Sequence, residues 1–162
     1  MLVNYESLDD AARVWVYQSS REFSDNEIEE IESKIEVFLS NWRRHGDDLK
    51  ASFKIKYKQF IVIAVDEAHN EVSGCSIDAS VNLMKQLEKD FSTDLTNKLN
   101  ISFKDNANIN IVSMADFQKY IKQEKITSNT VVFNNMVTTK SDFEQNWEVT
   151  ADKSWHKRFL VS

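Results

Sequence analysis

An uninterrupted apolar run, FIVIAV at residues 60–65, is the feature that most constrains the fold of this chain. A short continuous apolar run is typical of a central β-strand that is covered on both faces. The run is followed by Asp66 and Glu67, a short loop, the pair Gly74-Cys75 and a long segment with helical apolar spacing. We expect the rest of the chain to be organised around this strand, loop and helix.

Periodicity on either side predicts the other elements. A capping box at residues 24–27 and the apolar spacing after it predict a first helix that runs to about Arg44 and ends at Gly46. Alternation over residues 53–58 predicts a half-exposed strand that forms a hairpin with the apolar run around residues 57–59. The other predicted elements are strands at residues 13–17, 101–103, 109–112 and 131–133, and helices at residues 76–98, 116–124 and from 141 onward.

The order strand, helix, strand, strand, helix, strand is that of the ferredoxin-like βαββαβ fold. We therefore predict an α+β protein in which two long helices cover one face of an antiparallel sheet. This core spans about residues 12–112, and a C-terminal αβα extension spans about residues 113–162. With 162 residues and no repeat or linker, we expect a single domain.

Composition restricts the partners and the compartment. The net charge of −6, from 26 acidic and 20 basic side chains, repels phosphate backbones, so a nucleic-acid partner is not expected. The single cysteine cannot form an internal disulfide, which suits a reducing cytoplasm. The longest apolar run is too short to cross a bilayer, and the first residues do not have the pattern of an export leader. We expect a cytoplasmic protein without a membrane partner.

The turn that opens the second long helix is the predicted site. Free backbone N–H groups and the positive dipole end of a helix can hold an anion, and they can also favour a thiolate. The predicted ligand-binding residues surround this turn: Asp66, Ser73, Gly74, Cys75, Ser76 and Asp78. We interpret the chain as a binding or interaction module that takes a small anionic ligand or a protein there, without a cofactor. The sequence leaves its oligomeric state open.

Two other interpretations of Cys75 remain open. The thiol could act as a nucleophile with His69 or His45 as its base, although acidic side chains surround it and residues 66–84 contain no Lys or Arg. It could instead be a small buried residue that only packs at the start of the helix. A metal site is not predicted, because the sequence has no CxxC or HxxxH pair.

A lysine row suggests a third function. Lys54, Lys56 and Lys58 alternate along the predicted strand, and Trp15 and Tyr17 could share their sheet face. Cations beside aromatic rings are typical of surfaces that stack single-stranded RNA. A solvated strand face is the simpler interpretation of the same alternation.

At VDEAHNEVSGCSIDAS, preceded by WRRHG, the chain resembles a family of uncharacterised bacterial proteins of about this length, some of which are labelled ABC transporter ATPase. The resemblance covers most of the chain and implies no established activity, cofactor or site residues. ATP hydrolysis by ABC transporter ATPases requires the phosphate-binding loop GxxxxGK[ST]. The chain has only two glycines, Gly46 and Gly74, and therefore no such loop, so we do not expect ATPase activity.

Overall fold

The computed structural model describes residues 1–67 and 72–160. It is an α+β protein with four α-helices and antiparallel sheets, as predicted. The chain divides into two compact units: unit 1 comprises Met1–Thr96 with Thr138–Ser141, and unit 2 comprises Asn97–Val137 with Asp142–Ser162. Of the predicted site residues, His69 lies outside the described part of the chain. Within that part, no helix is both long enough and apolar enough to span a membrane.

The order of elements in unit 1 follows the prediction, with one added hairpin. Its elements are β1 (Arg13–Gln18), α1 (Asp25–Ser40), β2 (Arg43–Arg44), β3 (Asp47–Asp48), β4 (Ala51–Lys56), β5 (Phe60–Val65) and α2 (Gly74–Phe91). β5 lies at the centre of an antiparallel sheet with the order β1-β5-β4. All six residues of β5 are buried, which confirms that the apolar run is a central strand covered on both faces.

The main core of unit 1 lies between this sheet and the two long helices. Trp15 of β1 and Phe53 of β4 flank Ile63 in the register, so the three side chains share one sheet face. That face packs against the apolar stripes of the helices, which include Ile35 of α1 and Met84 of α2, both fully buried. Burying a side chain of this size contributes roughly 1.5–3 kcal/mol to folding, so this stripe is the main source of stability for the unit.

The start of α1 forms as the sequence predicts. Ser24 Oγ accepts a hydrogen bond from the Glu27 N–H, and Glu27 Oε1 accepts one from the Ser24 N–H, which completes the capping box. The Arg21 guanidinium donates to both Glu27 carboxylate oxygens, at 2.8 and 2.6 Å. This paired donation holds the pKa of Glu27 at about 2, well below its ordinary value.

The end of α1 differs from the prediction. The helix stops at Ser40, and β2 pairs with β3 as a short hairpin whose two turn residues are His45 and Gly46. Both have positive φ, at 49° and 87°, as a type I′ turn requires. Gly46 therefore lies in the turn of a hairpin and does not end a helix.

Alanine substitution of the two glycines is expected to change the free energy of unfolding in opposite directions. Gly46→Ala places a Cβ on a residue with φ of +87°, so we expect it to destabilise the chain by about 1 kcal/mol. Gly74 is the first residue of α2, and a Cβ there meets nothing within 4 Å, so Gly74→Ala should stabilise by about 0.4–1 kcal/mol. Urea midpoints of the two variants check this, and shifts in the same direction would contradict it.

Unit 2 contains the rest of the regular structure. Its elements are β6 (Asn100–Asp105), β7 (Asn108–Ser113), α3 (Met114–Lys122), β8 (Val131–Phe133), α4 (Lys140–Asn146), which begins in the last two residues assigned to unit 1, and β9 (Glu148–Thr150). The strands form a sheet with the order β7-β6-β8-β9. The buried core comprises Ile101, Phe103, Phe117, Ile126, Val132 and Ala151. α3, β8 and α4 occur in the order predicted for the αβα extension.

The structure does not confirm the ferredoxin-like sheet. That fold requires residues 101–103 to join the sheet of β5, but β6 pairs with β7 and β8 in the sheet of unit 2. A two-residue turn at residues 106–107 joins β6 to β7, and so short a loop is closed at little entropic cost. The compact units change at Asn97, at Thr138 and at Asp142. The single-domain description stays a prediction.

Candidate functional site

The hydroxyls at the predicted turn are used to build the start of α2. Ser73 is the N-cap, and its Oγ accepts a hydrogen bond from the Ser76 N–H at 3.1 Å. The buried Ser76 Oγ donates to the Arg43 carbonyl at 2.8 Å and lies 2.8 Å from Ser73 Oγ. The Trp42 indole donates to the Ser76 carbonyl at 2.9 Å. These bonds attach the β2-β3 hairpin to α2, so both hydroxyls already have internal partners.

Cys75 is exposed, so the interpretation of this residue as buried packing is wrong. The inward face of α2 begins at Ser76 and continues through Ser80 and Met84, and Cys75 lies one position away from that helical row. His45 is exposed on the hairpin turn. Among the described residues, no hydrogen bond joins the Cys75 thiol to a histidine. The thiol-dependent enzyme stays a prediction.

The other residues of the predicted turn differ in their surroundings. Gly74 and Asp78 are exposed, whereas Asp66 is half-buried and its N–H donates to the Lys50 carbonyl at 2.8 Å. The neighbouring Glu67 carboxylate accepts a hydrogen bond from the Val72 N–H at 3.3 Å. In residues 1–67 and 72–160, no group of three or more His, Cys, Asp or Glu side chains could hold a metal ion.

Only part of the lysine row predicted for RNA binding lies on a strand, since β4 includes Lys54 and Lys56 but ends before Lys58. Lys54 lies on β4, with its Nζ 4.3 Å from the Tyr5 ring centroid, but Lys58 lies in the turn before β5 and pairs with Asp25 at 2.7 Å. Trp15 is on the opposite, helix-covered face of the sheet. Trp15 therefore does not share a sheet face with Lys54, and RNA binding stays an untested prediction.

An open groove of about 660 Å³ on unit 2 is a stronger candidate site. Its volume falls within the range of roughly 300–1,000 Å³ typical of small-molecule sites. Four segments contribute: the end of β6 with its turn, β7, the end of α3 with the loop after it, and the approach to β8. The lining residues are Phe103, Lys104, Asp105, Asn106, Asn110, Val112, Tyr120, Lys125, Ile126, Asn129, Thr130 and Val131.

The floor of the groove is the inner face of the β6-β7 hairpin. Phe103 pairs with Asn110 in the register, and Val112 lies two residues along the same face. The Phe103 ring meets the Tyr120 ring edge to face, with centroids 6.3 Å apart, and the Phe117 ring at 6.2 Å. The edge-to-face packing with buried Phe117 holds the Phe103 ring in place at the floor of the groove.

Cations and amides surround this floor. The exposed Lys125 has its Nζ 5.6 Å from the Tyr120 ring centroid and forms no ion pair within the described part of the chain. Lys104 Nζ lies 3.1 Å from a Glu148 carboxylate oxygen. Asn129 adds an amide at the rim. One cation without a carboxylate partner therefore stands beside an aromatic ring and amide donors.

The two units carry different charge. Unit 1 has 19 acidic and 12 basic side chains, whereas unit 2 has 7 acidic and 8 basic. The acidic excess of the chain thus belongs to unit 1. Unit 2, which contains the groove, is itself close to neutral in composition.

Sequence reasoning missed the groove because no local motif encodes it. One usable signal is the stretch Asn106-Ala107-Asn108-Ile109-Asn110, in which asparagines recur at every second residue. In a strand, that period places the side chains of Asn108 and Asn110 on one sheet face, while Asn106 lies in the turn before β7. The contributions of Tyr120 and Lys125 depend on how α3 packs, which the sequence does not state.

No family model, curated protein or solved structure matches the chain. The resemblance carried by VDEAHNEVSGCSIDAS stays a prediction, and the proposals below rest on the geometry of the described residues.

Proposed function

We propose that the chain is a binding module and that the groove on unit 2 takes a small anionic molecule. The observation that carries this proposal is the position of Lys125, a lysine without a carboxylate partner in the described residues, at the rim of a groove of about 660 Å³. The Lys125 ammonium is exposed, so it attracts a carboxylate or a phosphate mainly through a charge-assisted hydrogen bond formed when the ligand lies in the groove.

The lining favours an anion that is attached to an apolar body. Phe103 and Val112 offer a surface for a ring or an alkyl group, while the amides of Asn110 and Asn129 can donate hydrogen bonds to oxygen atoms. Tyr120 supports the Lys125 side chain through its ring face. An apolar group at the floor and a negative group at the rim together define the ligand class.

Binding rather than covalent chemistry is proposed because the lining residues offer no hydrogen-bonded pair of nucleophile and base. The Thr130 hydroxyl accepts a hydrogen bond from the Thr127 N–H at 2.9 Å, which closes the loop before β8. Lys104 is engaged with Glu148. A nucleophilic mechanism requires a base within about 3 Å of the attacking group.

Phenyl phosphate, which combines a ring with a dianion, is a suitable probe. We expect it to shift the amide NMR signals of Asn110, Tyr120 and Asn129, and Lys125→Gln to weaken its binding about tenfold, because a charge-assisted hydrogen bond contributes roughly 1.4 kcal/mol or more. The matched control is Lys122→Gln, which removes the same charge from α3 outside the groove. An equal loss in both variants, or shifts confined to other residues, would refute the proposal.

A further inference from the structure

β7 forms an open edge of the unit 2 sheet. It is joined to β6 by a two-residue turn, so Asp105 and Asn108 form the first hydrogen-bonded pair of the hairpin. Hydrogen-bonded and non-hydrogen-bonded pairs then alternate, and the N–H and C=O groups of Ile109 and Ile111 point away from β6. Neither residue has a backbone partner on that side among the described residues.

The other edges of the two main sheets are protected. β4 carries Lys54 and Lys56, and β1 is covered where the Val14 N–H donates to the Thr138 carbonyl at 3.0 Å. β9 has only three residues and includes Glu148. Edge-to-edge pairing is usually prevented by lysines on the edge strand, by a short edge strand or by a segment that covers the edge. β7, with the sequence NINIVS, has six residues and neither a charge nor a proline.

We infer that β7 is an interaction edge and that its partner is the same strand of a second copy of this chain. In antiparallel pairing about a twofold axis at Asn110, Ile109 of each copy lies opposite Ile111 of the other. The outward N–H and C=O groups of both residues then form four hydrogen bonds, and a continuous sheet crosses the axis.

The composition of β7 favours its own copy over a charged peptide. An uncharged strand brings no like charges together when it pairs with itself, whereas an acidic or basic peptide would find no opposite charge on it. Cross-strand isoleucine pairs add packing of β-branched side chains, and both isoleucines are half-buried in the single chain. This inference is argued from the edge of β7 and not from ligand binding, because Ile109 and Ile111 lie on the sheet face opposite to Asn110 and Val112. The twofold axis nevertheless brings the Asn110 residues of the two copies opposite each other on the groove face.

Analytical ultracentrifugation of the full chain over a dilution series tests the inference. We expect the mass to rise from one chain to two with concentration and Ile111→Pro to weaken dimerisation at least tenfold. Proline there removes an outward-facing N–H, which an edge strand tolerates, and it also replaces the half-buried isoleucine side chain. Ile111→Val, which keeps both the N–H and a β-branched side chain, is the matched control and should still dimerise. A chain that stays monomeric, a dimer that Ile111→Pro leaves intact, or growth into open-ended assemblies would overturn the inference.

Amide hydrogen exchange on the unmodified chain gives a second measurement that does not depend on how the proline variant folds. The amides of Ile109 and Ile111 should be protected at high concentration and exchange rapidly on dilution. The Asn110 amide bonds to β6 and should stay protected at both concentrations. Rapid exchange of the two isoleucine amides at every concentration would overturn the inference.

Discussion

Proline at position 63 is expected to unfold unit 1. Ile63 lies in the middle of β5, paired with Trp15 of β1 and Phe53 of β4, and only 1% of its surface is exposed. Proline removes the backbone N–H that the sheet ladder needs, and it also replaces a fully buried apolar side chain. We expect the combined loss to exceed the roughly 3 kcal/mol that proline costs inside a helix. That is a large share of the roughly 5–15 kcal/mol by which domains are stable.

The matched control for this substitution is Ile63→Val, which removes one methylene and keeps the ladder. It should cost about 0.5–1.5 kcal/mol and leave a cooperative transition. Amide NMR signals of β1, β4 and β5 report the unfolding of this unit in urea, because the tryptophan fluorescence of the chain combines Trp15 and Trp42 of unit 1 with Trp147 and Trp155 of unit 2. A proline variant that keeps a cooperative transition close to that of the valine variant would show that β5 is not the centre of the sheet.

Elements whose type or start is indicated by a short local sequence pattern were predictable from the sequence. The apolar run of β5 has the short length and β-branched content typical of a strand covered on both faces, and the capping box at Ser24 indicates where α1 begins. The end of α2 was not predictable, because Leu95 and Leu99 continue the helical spacing. α2 nevertheless ends at Phe91, where Ser92 adopts a left-handed φ of 49°, and the Glu88 carboxylate accepts hydrogen bonds from the N–H groups that follow. By bonding to these N–H groups, the Glu88 side chain stabilises a loop where the apolar spacing alone would predict more helix.

Sheet partnership was harder to predict than element type. Residues 101–103 were correctly predicted to be a strand, but an apolar strand of this length can pair with any neighbour. The two-residue turn with Asn106 at φ of 56° selects the local hairpin with β7. That choice moves the strand out of the sheet of β5, and it also builds the floor of the groove.

The two candidate sites, the turn at Ser73 and the groove on unit 2, also differed in how far the sequence could predict them. The turn at Ser73 could be found from the sequence because its residues are adjacent, but its two serine hydroxyls serve to cap α2 and to attach the β2-β3 hairpin. The groove combines Phe103, Tyr120 and Lys125, which are brought together only when α3 packs on β6 and β7. Tertiary packing of this kind leaves no fixed spacing in the sequence.

His156 is a buried histidine whose protonation opposes folding. Its ring is 1% exposed, stacks on Trp155 with centroids 3.9 Å apart and lies 5.7 Å from the Phe117 ring. Nδ1 is 2.7 Å from the Ser154 hydroxyl, and the buried Nε2 has no hydrogen-bond partner. Burial, with a smaller contribution from the Arg158 charge, lowers the pKa of His156 from 6.5 to about 4.

Acidification is therefore expected to begin to destabilise unit 2 near pH 6.5, about two pH units above the ordinary pKa of a carboxyl group. Between pH 6.5 and about 4 the unfolded chain binds a proton at His156 that the folded chain does not, so stability falls as the pH falls. The slope approaches 1.4 kcal/mol per pH unit, and the total loss reaches about 3 kcal/mol at pH 4. Urea unfolding between pH 7 and pH 4.5, followed through amide signals of unit 2, measures this slope.

Two variants test whether His156 is the group responsible. His156→Phe, which keeps an aromatic ring, should lose the dependence of stability on pH, whereas His45→Gln, at the exposed hairpin turn, should retain it. An unchanged slope in His156→Phe would assign the acid sensitivity to other groups.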